Sequence, residues 1–334
     1  MADWLSVDKI RQLAQAALEG AGTSVANAAP LARAVAAAER DGIASHGLLY
    51  VPVYVKHVQC GKVDGQAEPR MEHPRPATIL VDAATGFAYS AISLGFEALI
   101  PAAREFGIAA LAIRNSYNCG VLGYHTERLA SKGIVGLGFT NAPASIAPAG
   151  GTKPVIGTNP FSLATPDGKG GASILIDQSA SVVAKSEVIK RAREGYALED
   201  GWALDAEGNP TTDPDAALKG TMAPSGGYKG VGTGLLTEVM AAALAGATLG
   251  VDASPFSGTA GGPPKTGQFF IAIDPAAPSG GVFSSRMDGL IAAIGDQPGA
   301  RIPGSRRLAA RARADAEGVE VDADLVEKIR ALAG

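Results

Sequence analysis

Apolar side chains recur at helical spacing from the start of the chain. Ser6 can cap a helix in which Ile10, Leu13, Ala14, Ala17 and Leu18 share one face, with Gly20 and Gly22 at its end. A second helix follows from about Ser24 to Arg40, with Ala28, Leu31, Ala32, Val35 and Ala38 on its apolar side. After about residue 75 the pattern changes to short β-rich runs bounded by Gly, Pro, Asp or Asn. These are Thr78 to Asp82, Ile108 to Ile113, Ile134 to Thr140, Ser173 to Ile176 and Phe269 to Ile273. Helical stretches at about 91–106, 122–132, 184–195 and 233–249 separate several of them. Leu325, Ile329 and Leu332 then mark a one-faced helix near the far end. The pattern predicts a helical domain over 1–75, completed by about 305–334, and an α/β core over 76–304 with a smaller inserted lobe near 120–165. Gly258 to Pro264 and Pro275 to Gly281 read as loops, and no internal repeat is found.

Composition narrows the class. With 334 residues, 46% of them hydrophobic and 19% charged, the chain is long enough for two or three lobes around a sizeable interior. A net charge of −4 gives no reason to expect nucleic acid as a partner. The two cysteines, Cys60 and Cys119, are too few for a disulfide framework and show no metal-ligand spacing. No metal is expected, and a reducing compartment is. The first residues lack a basic stretch followed by an apolar run. Gly, Pro or charge interrupts every apolar run before about 18 residues, short of a membrane span. The expectation is a cytoplasmic protein with no membrane partner.

Four histidines occur in the chain, and His46 is placed for chemistry. It follows Asp41-Gly42-Ile43-Ala44-Ser45 and precedes Gly47, Pro52 and Tyr54, between a hydroxyl and a glycine where a helix runs into a loop. An imidazole there stays accessible and can trade a proton near neutral pH, although a helix-ending surface histidine gives the same tripeptide. The glycine spacing of a standard dinucleotide-binding turn is missing: Gly230, Gly232 and Gly234 come near it, but Leu235 holds the third place. Gly226-Gly227-Tyr228-Lys229-Gly230 can cradle an anion with backbone amides and the Lys229 charge, or be a glycine-rich turn into the helix at 233–249. Gly150 to Pro160 is a turn-rich loop whose Asn and Thr donors suit a carboxylate or amide; a purely structural loop reads the same. Asp177 ends the apolar run Ile174-Leu175-Ile176, where a carboxylate can orient a histidine or be solvated.

In order along the chain, these features resemble the malate/L-lactate dehydrogenase family that lacks the usual dinucleotide fold. The carrying residues are Asp41 to Gly47 with Pro52 and Tyr54, Asn115-Ser116, Gly150-Gly151, Gly157 to Pro160, Asp177, Thr211 to Pro214, Gly226 to Gly230, Gly267 to Phe270 and Arg301 to Gly304. The family includes ureidoglycolate, sulfolactate and diketogulonate enzymes and the reductases of piperideine- and pyrroline-2-carboxylate. The resemblance covers nearly the whole chain. It implies an α/β fold with a non-Rossmann, mixed-sheet nucleotide-binding core, a helical domain built from both chain ends, and a homodimer. His46 would be the proton donor to the substrate oxygen or nitrogen, with Ser45 and Asp177 as its hydrogen-bonding partners. Asp177, Gln178, Ser179, Lys229 and Gly230 would contact the cofactor, and the segment from Arg301 through Gly304 and Arg306 to Arg307 would close over its far end. Thr158 and Asn159 would line the substrate pocket.

Two positions depart from the family pattern. Tyr50 stands where an arginine usually clamps a substrate carboxylate, and Asn118 stands where a histidine is often found. Hydrogen bonds to charged groups are worth roughly 1.5–3 kcal/mol each, so a phenol in place of a guanidinium is not neutral. Lys153 and His57 are candidates for the missing cation. Asn118 exchanges no proton at ordinary pH, which leaves His46 as the matched acid; His125 lies off the motif and is expected on a helix surface. Tyr50 either faces a pocket for a bulkier or less charged substrate or points into the helical domain.

The expected activity is NAD(P)-dependent interconversion of a 2-oxo acid and a 2-hydroxy acid, on a small-molecule substrate. Reduction of a cyclic 2-imino acid is the alternative, since the ketimine reductases share the Thr211 to Pro214 and Arg306-Arg307 texture. A non-catalytic cofactor-binding relative is the reading from another class, motivated by Tyr50 and Asn118. Arg306 and Arg307, with Arg311 and Arg313 beyond them, favour NADP over NAD because an arginine fork suits a 2′-phosphate; a solvated basic helix start explains the same residues.

Overall fold

The computed structural model describes residues 2–333. Strand β1 (Ala2–Leu5) leads into helix α1 (Val7–Gly20), where the Ser6 hydroxyl accepts the Lys9 amide at 3.2 Å as the cap. Ile10, Ala14, Ala17 and Leu18 are buried, as their spacing requires. Helix α2 (Val25–Arg40) buries Ala34 and Ala36 besides its expected apolar face, because α1 is not its only packing partner. Two tight turns, Ala44–His46 and Leu48–Tyr50, then join α2 to α3 (Val51–Gln59). The helical run stops there rather than near residue 75. Strand β2 (Arg70–Arg75) is exposed and carries Pro74 and charges, the composition of a sheet edge.

The core follows as β3 (Thr78–Asp82), α4 (Ala88–Phe106), β4 (Ile108–Ser116), α5 (Leu122–Ala130), β5 (Val135–Thr140), β6 (Phe161–Pro166) and β7 (Ala172–Gln178). Helix α6 (Lys185–Glu194), strands β8 (Ala203–Leu204) and β9 (Pro210–Thr211), helix α7 (Pro214–Lys219) and strand β10 (Thr221–Met222) come next. Helix α8 (Tyr228–Glu238) continues into a single wide π-turn, Val239–Ala243. It starts five residues before the expected 233, because Gly226 and Gly227 take positive φ values (70° and 65°) and turn the chain directly into the helix. After β11 (Thr266–Ile273) come α9 (Ala276–Ser279), α10 (Phe283–Gly295), α11 (Ser305–Glu317), β12 (Val319–Asp322) and α12 (Ala323–Arg330). The segment Pro275 to Gly281, expected as a loop, thus holds one short helix.

Seven strands form the main sheet in the order β2-β3-β4-β11-β5-β6-β7. Only β3 and β4 run parallel, joined by the α4 crossover; the other neighbours are antiparallel. This is the expected mixed sheet and not a doubly wound parallel one. The region 120–165 supplies α5, β5 and β6 to this sheet, so it is not a separate lobe. The turn-rich stretch between β5 and β6 links two antiparallel neighbours, and its Ile146 and Ile156 pack into a buried cluster with Ala180, Leu198, Ala203 and Met222. The smaller sheet, β10-β8-β9, lies instead at 203–222, in strands too short to show a period.

Both chain ends meet in one core. Strand β1 pairs antiparallel with β12, and Leu5, Ile10, Leu18, Leu31 and Tyr54 pack in the same buried cluster as Val321, Val326 and Ile329. A second cluster fills the space between α4 and the sheet, with Phe96 edge-on to Phe270 at 5.1 Å. No helix among the described residues is long and apolar enough to cross a membrane.

Candidate active site

His46 sits in the turn after α2, and that turn is held at both ends. On one side Asp41, the last residue of the α2 cap, accepts Arg311 Nε at 2.5 Å and Nη2 at 2.8 Å. The same guanidinium binds both oxygens of Glu127 on α5 at 2.6 Å, and these ion pairs push its pKa up. On the other side Glu39 Oε1 accepts the Leu48 amide at 2.6 Å. A Cβ on Gly47 would lie 2.1 Å from that oxygen, so a larger residue would force the carboxylate away from the Leu48 amide. Burial raises the Glu39 pKa, against the opposing pull of the Leu48 bond. Residues from α2, α5 and α11 therefore fix the position of the imidazole.

Within the turn, Ser45 Oγ lies 3.0 Å from His46 Nδ1, as expected, which leaves Nε2 for a ligand. Burial lowers the His46 pKa, Asp177 acts the other way, and Arg307 adds to the lowering. The expected hydrogen bond between His46 and Asp177 is not made. Asp177 Oδ2 instead accepts Arg307 Nη2 at 2.6 Å and the Gly123 amide at 2.9 Å. Asp177 lies at the end of the edge strand β7, where Arg307 from α11 reaches it first.

The two departures from the family pattern touch each other. Asn118 Nδ2 donates to Tyr50 Oη at 3.3 Å, while Asn118 Oδ1 accepts from Tyr54 Oη at 3.3 Å and from the Gly120 amide at 3.2 Å. The Tyr50 ring meets Tyr54 edge-on at 4.7 Å, and Tyr54 in turn bonds Tyr89 Oη at 3.1 Å. Burial pushes the Tyr50 phenol up to about 12, with hydrogen bonds from Tyr117 and Asn118 pulling it back, so it is a neutral donor at pH 7. Tyr50 is half-buried against this aromatic wall.

Neither candidate cation bonds Tyr50 or Asn118 directly, and His57 reaches the group only through Tyr117. His57 is buried, with Nε2 2.8 Å from the Gly258 carbonyl and Nδ1 on Tyr117 Oη, and burial lowers its pKa. Since a carbonyl only accepts, Nε2 carries the proton. Lys153 is exposed on a loop whose Thr152 lies against Gly208 near the small sheet. His125 is buried rather than on a helix surface: α5 turns that side to the sheet, Nε2 bonds the Cys119 carbonyl at 2.9 Å, and burial takes its pKa down to about 3. Asn159 is also corrected. It is fully buried, its Nδ2 donates to Glu238 at 2.6 Å and to the Gly234 carbonyl at 2.9 Å, and its Oδ1 accepts the Ala142 amide at 3.1 Å. It has no group left for a substrate. Thr158 is half-buried and gives its carbonyl to Ala180.

The residues expected at a cofactor are partly gathered. The Ser225 amide donates to the Ala180 carbonyl at 2.8 Å and Ser181 bridges Pro224, which sets the start of α8 beside the end of β7, with Gln178 and Ser179. Helix-start amides have no partners within their helix, and Lys229 is exposed and makes no ion pair among the described residues. This donor set fits a dinucleotide phosphate. Gly230 packs against the Ser225 backbone, and Ser179 Oγ is bonded to Ser181. Arg301 and Arg306 are exposed, and Gly304 lies against Leu175 of β7. Arg307 belongs to Asp177, and Arg311 to Asp41 and Glu127. Sequence reasoning overlooked Glu39, Glu127 and Gly123, and read Arg311 as a cofactor residue. Their partners are remote in sequence, and no local pattern marks them.

Comparison with known proteins gives the class. The family model described as malate/L-lactate dehydrogenase matches residues 5–330, and the chain belongs to that family. It is a dehydrogenase by class. It is 43% identical over 333 residues to (2R)-3-sulfolactate dehydrogenase (NADP(+)) from Chromohalobacter salexigens, covering 100% of this chain and 99% of the relative. It is 39% identical over 331 residues to Delta(1)-pyrroline-2-carboxylate reductase from Ancylobacter novellus, covering 98% and 97%. Among solved structures it is similar to delta1-piperideine-2-carboxylate reductase from Pseudomonas syringae pv. tomato, with a TM-score of 0.93, 35% identity and 99% of each chain covered.

Proposed function

We propose that the protein interconverts a 2-oxo acid and a 2-hydroxy acid with NADP(H), with His46 as the proton donor. The carrying observation is the fixed imidazole, with Ser45 on Nδ1 and Nε2 without a hydrogen-bond partner among the described residues, followed in the next turn by Tyr50 with Asn118 on its hydroxyl. When bound, the reduced nicotinamide supplies the hydride. In the reducing direction His46 gives its Nε2 proton to the substrate oxygen, and the emptied nitrogen regains a proton from solvent. Ser45 Oγ accepts Nδ1–H both while the ring is charged and after Nε2 has given up its proton, which keeps the ring in one orientation through the step. Tyr50 and Asn118 orient the substrate carboxylate through neutral hydrogen bonds.

Lys229, the first turn of α8, Gln178 and Ser179 would hold the dinucleotide, with Arg301 and Arg306 as the free cations for a 2′-phosphate. The cofactor named for the sulfolactate relative supports NADP. Reduction of a cyclic 2-imino acid is the second reading. It is favoured by Tyr50, which packs on the buried Tyr54 ring and offers no cation for a second carboxylate, and by the two reductase relatives. A homodimer is also proposed: Leu235, Leu236, Val239 and Leu244 leave an exposed apolar stripe on α8 and its π-turn, and apolar α10 has no buried residue. Sedimentation reads the dimer directly.

Oxidation of NADPH and NADH against a panel of 2-oxo acids and cyclic 2-imines tests the reading. Turnover on one substrate class with NADPH preferred is expected. Intact cofactor binding with no turnover on any member would overturn it.

A further inference from the structure

The guanidinium of Arg307 is spent on the carboxylate that the imidazole would otherwise use. It projects from the first turn of α11, which is docked on β7 through the Leu175 amide and the Pro303 carbonyl at 3.1 Å. The Arg307 and Asp177 side chains are only 16% and 12% exposed. Gly123 closes the arrangement: its amide holds Asp177 Oδ2, and a Cβ there would come within 2.7 Å of both that oxygen and Arg307 Nη1. Nη1 is buried with no acceptor among the described residues, so the fork points inward and not towards a solvent-exposed phosphate. Both charges act on His46, Asp177 favouring its protonated form and Arg307 opposing it.

We propose that Arg307 is a positioning residue for the His46 acid: it holds Asp177 away from the imidazole and so sets how tightly His46 keeps its proton. Without Arg307, Asp177 becomes an unopposed negative charge beside the ring and a nearby positive charge disappears. Both changes favour the imidazolium. The other ionisable groups around the turn do not substitute. Asp41 on α2 is paired with Arg311, Glu39 on α2 is bonded to Leu48, and burial holds the Cys119 thiol near Asp177 at about 12 and the Tyr50 phenol at about 12. The inference uses the proposed role of His46 but is tested without substrate.

The test is an NMR titration of the four histidines in the cofactor-free protein, with the His46 signal assigned through His46→Gln. In Arg307→Met the His46 titration should move up by about one pH unit or more, the usual scale of a neighbouring-charge effect. In Asp177→Asn it should move down, because Arg307 is then unopposed. The double variant should return near the parent, and Arg307→Lys should stay close to it. These opposed signs separate an electrostatic role from loosened packing, which has no reason to reverse with the sign of the charge removed. The Lys and double variants keep the test open if Arg307→Met fails to fold. A His46 titration unmoved in Arg307→Met, with NADPH binding weakened more than tenfold, would overturn the proposal and make Arg307 a cofactor contact. If the titrations behave as described but no 2-oxo acid or imine turns over, the functional reading fails and this inference stands.

Discussion

Replacing Arg311 by methionine removes the cation that ties α11 to both α2 and α5 while keeping most of the side-chain volume. Asp41 is 4% exposed and Glu127 16%, and each would be left facing the other without a counter-charge. Asp41 also sits at the C-terminal end of α2, where the helix dipole disfavours an anion. Removing one member of a buried ion network costs roughly 3–5 kcal/mol, mostly from the charges left behind. With an unfolding entropy of about 2.1 cal/mol/K per residue, a chain of 334 residues has about 0.7 kcal/mol/K at the midpoint, so Tm should fall by about 4–7 °C. Calorimetry on the purified protein reads this directly. Turnover should fall as well, since Asp41 anchors the turn that carries His46, and small misplacements of a catalytic group are costly. Adding Asp41→Asn and Glu127→Gln to the same variant should recover most of the lost stability, because no buried charge is then stranded. A Tm loss under about 1.5 °C, or no recovery in the triple variant, would refute the reasoning and mean that water already shields these carboxylates.

Three further outcomes are expected. His46→Ala should lower the single-turnover rate by about 10²–10⁴-fold with NADPH affinity nearly unchanged, and a loss under tenfold would remove His46 from the acid role. Tyr50→Arg should shift the kcat/KM ratio towards small doubly charged 2-oxo acids by about tenfold, equivalent to roughly 1.4 kcal/mol; an unchanged profile would put Tyr50 outside the pocket. Glu39 has a folded-state pKa raised above 4.5, so it binds more protons folded than unfolded and its contribution to stability falls as pH rises above that value. Glu39→Gln should therefore gain stability relative to the parent as pH goes from about 4.5 to 8 in thermal melts, and a constant difference across that range would contradict the burial argument.

What could be read from sequence was what depends on neighbours along the chain. The one-faced period of α1, with Ser6 at its cap, and the apolar run of β3 both match the structure because local pattern and burial agree there. Strand β2 was invisible, since an edge strand with Pro74 and several charges has no apolar run to show. The small sheet was not foreseen because two-residue strands carry no period, and α10, in which no residue is fully buried, was not foreseen either. The site divides in the same way. Ser45 beside His46 is a contact between adjacent residues. Asn118 under Tyr50, Arg307 on Asp177 and Arg311 on Asp41 join positions far apart in sequence, which only the closed fold brings together.

The pairing of β1 with β12 sets an order of events during synthesis. Leu5 finds its strand partner only when Val319 has left the ribosome, and the buried cluster around α1 lacks Val321, Val326 and Ile329 until then. The sheet from β3 to β11 can close earlier, with contacts already in the emerged chain. The histidine-bearing turn is thus completed last, when α11 arrives with Arg307 and Arg311. A nascent chain halted before α11 would hold a nearly finished sheet and a His46 turn without its Arg311 anchor, so turnover is expected only once that segment is made and not in proportion to the length made.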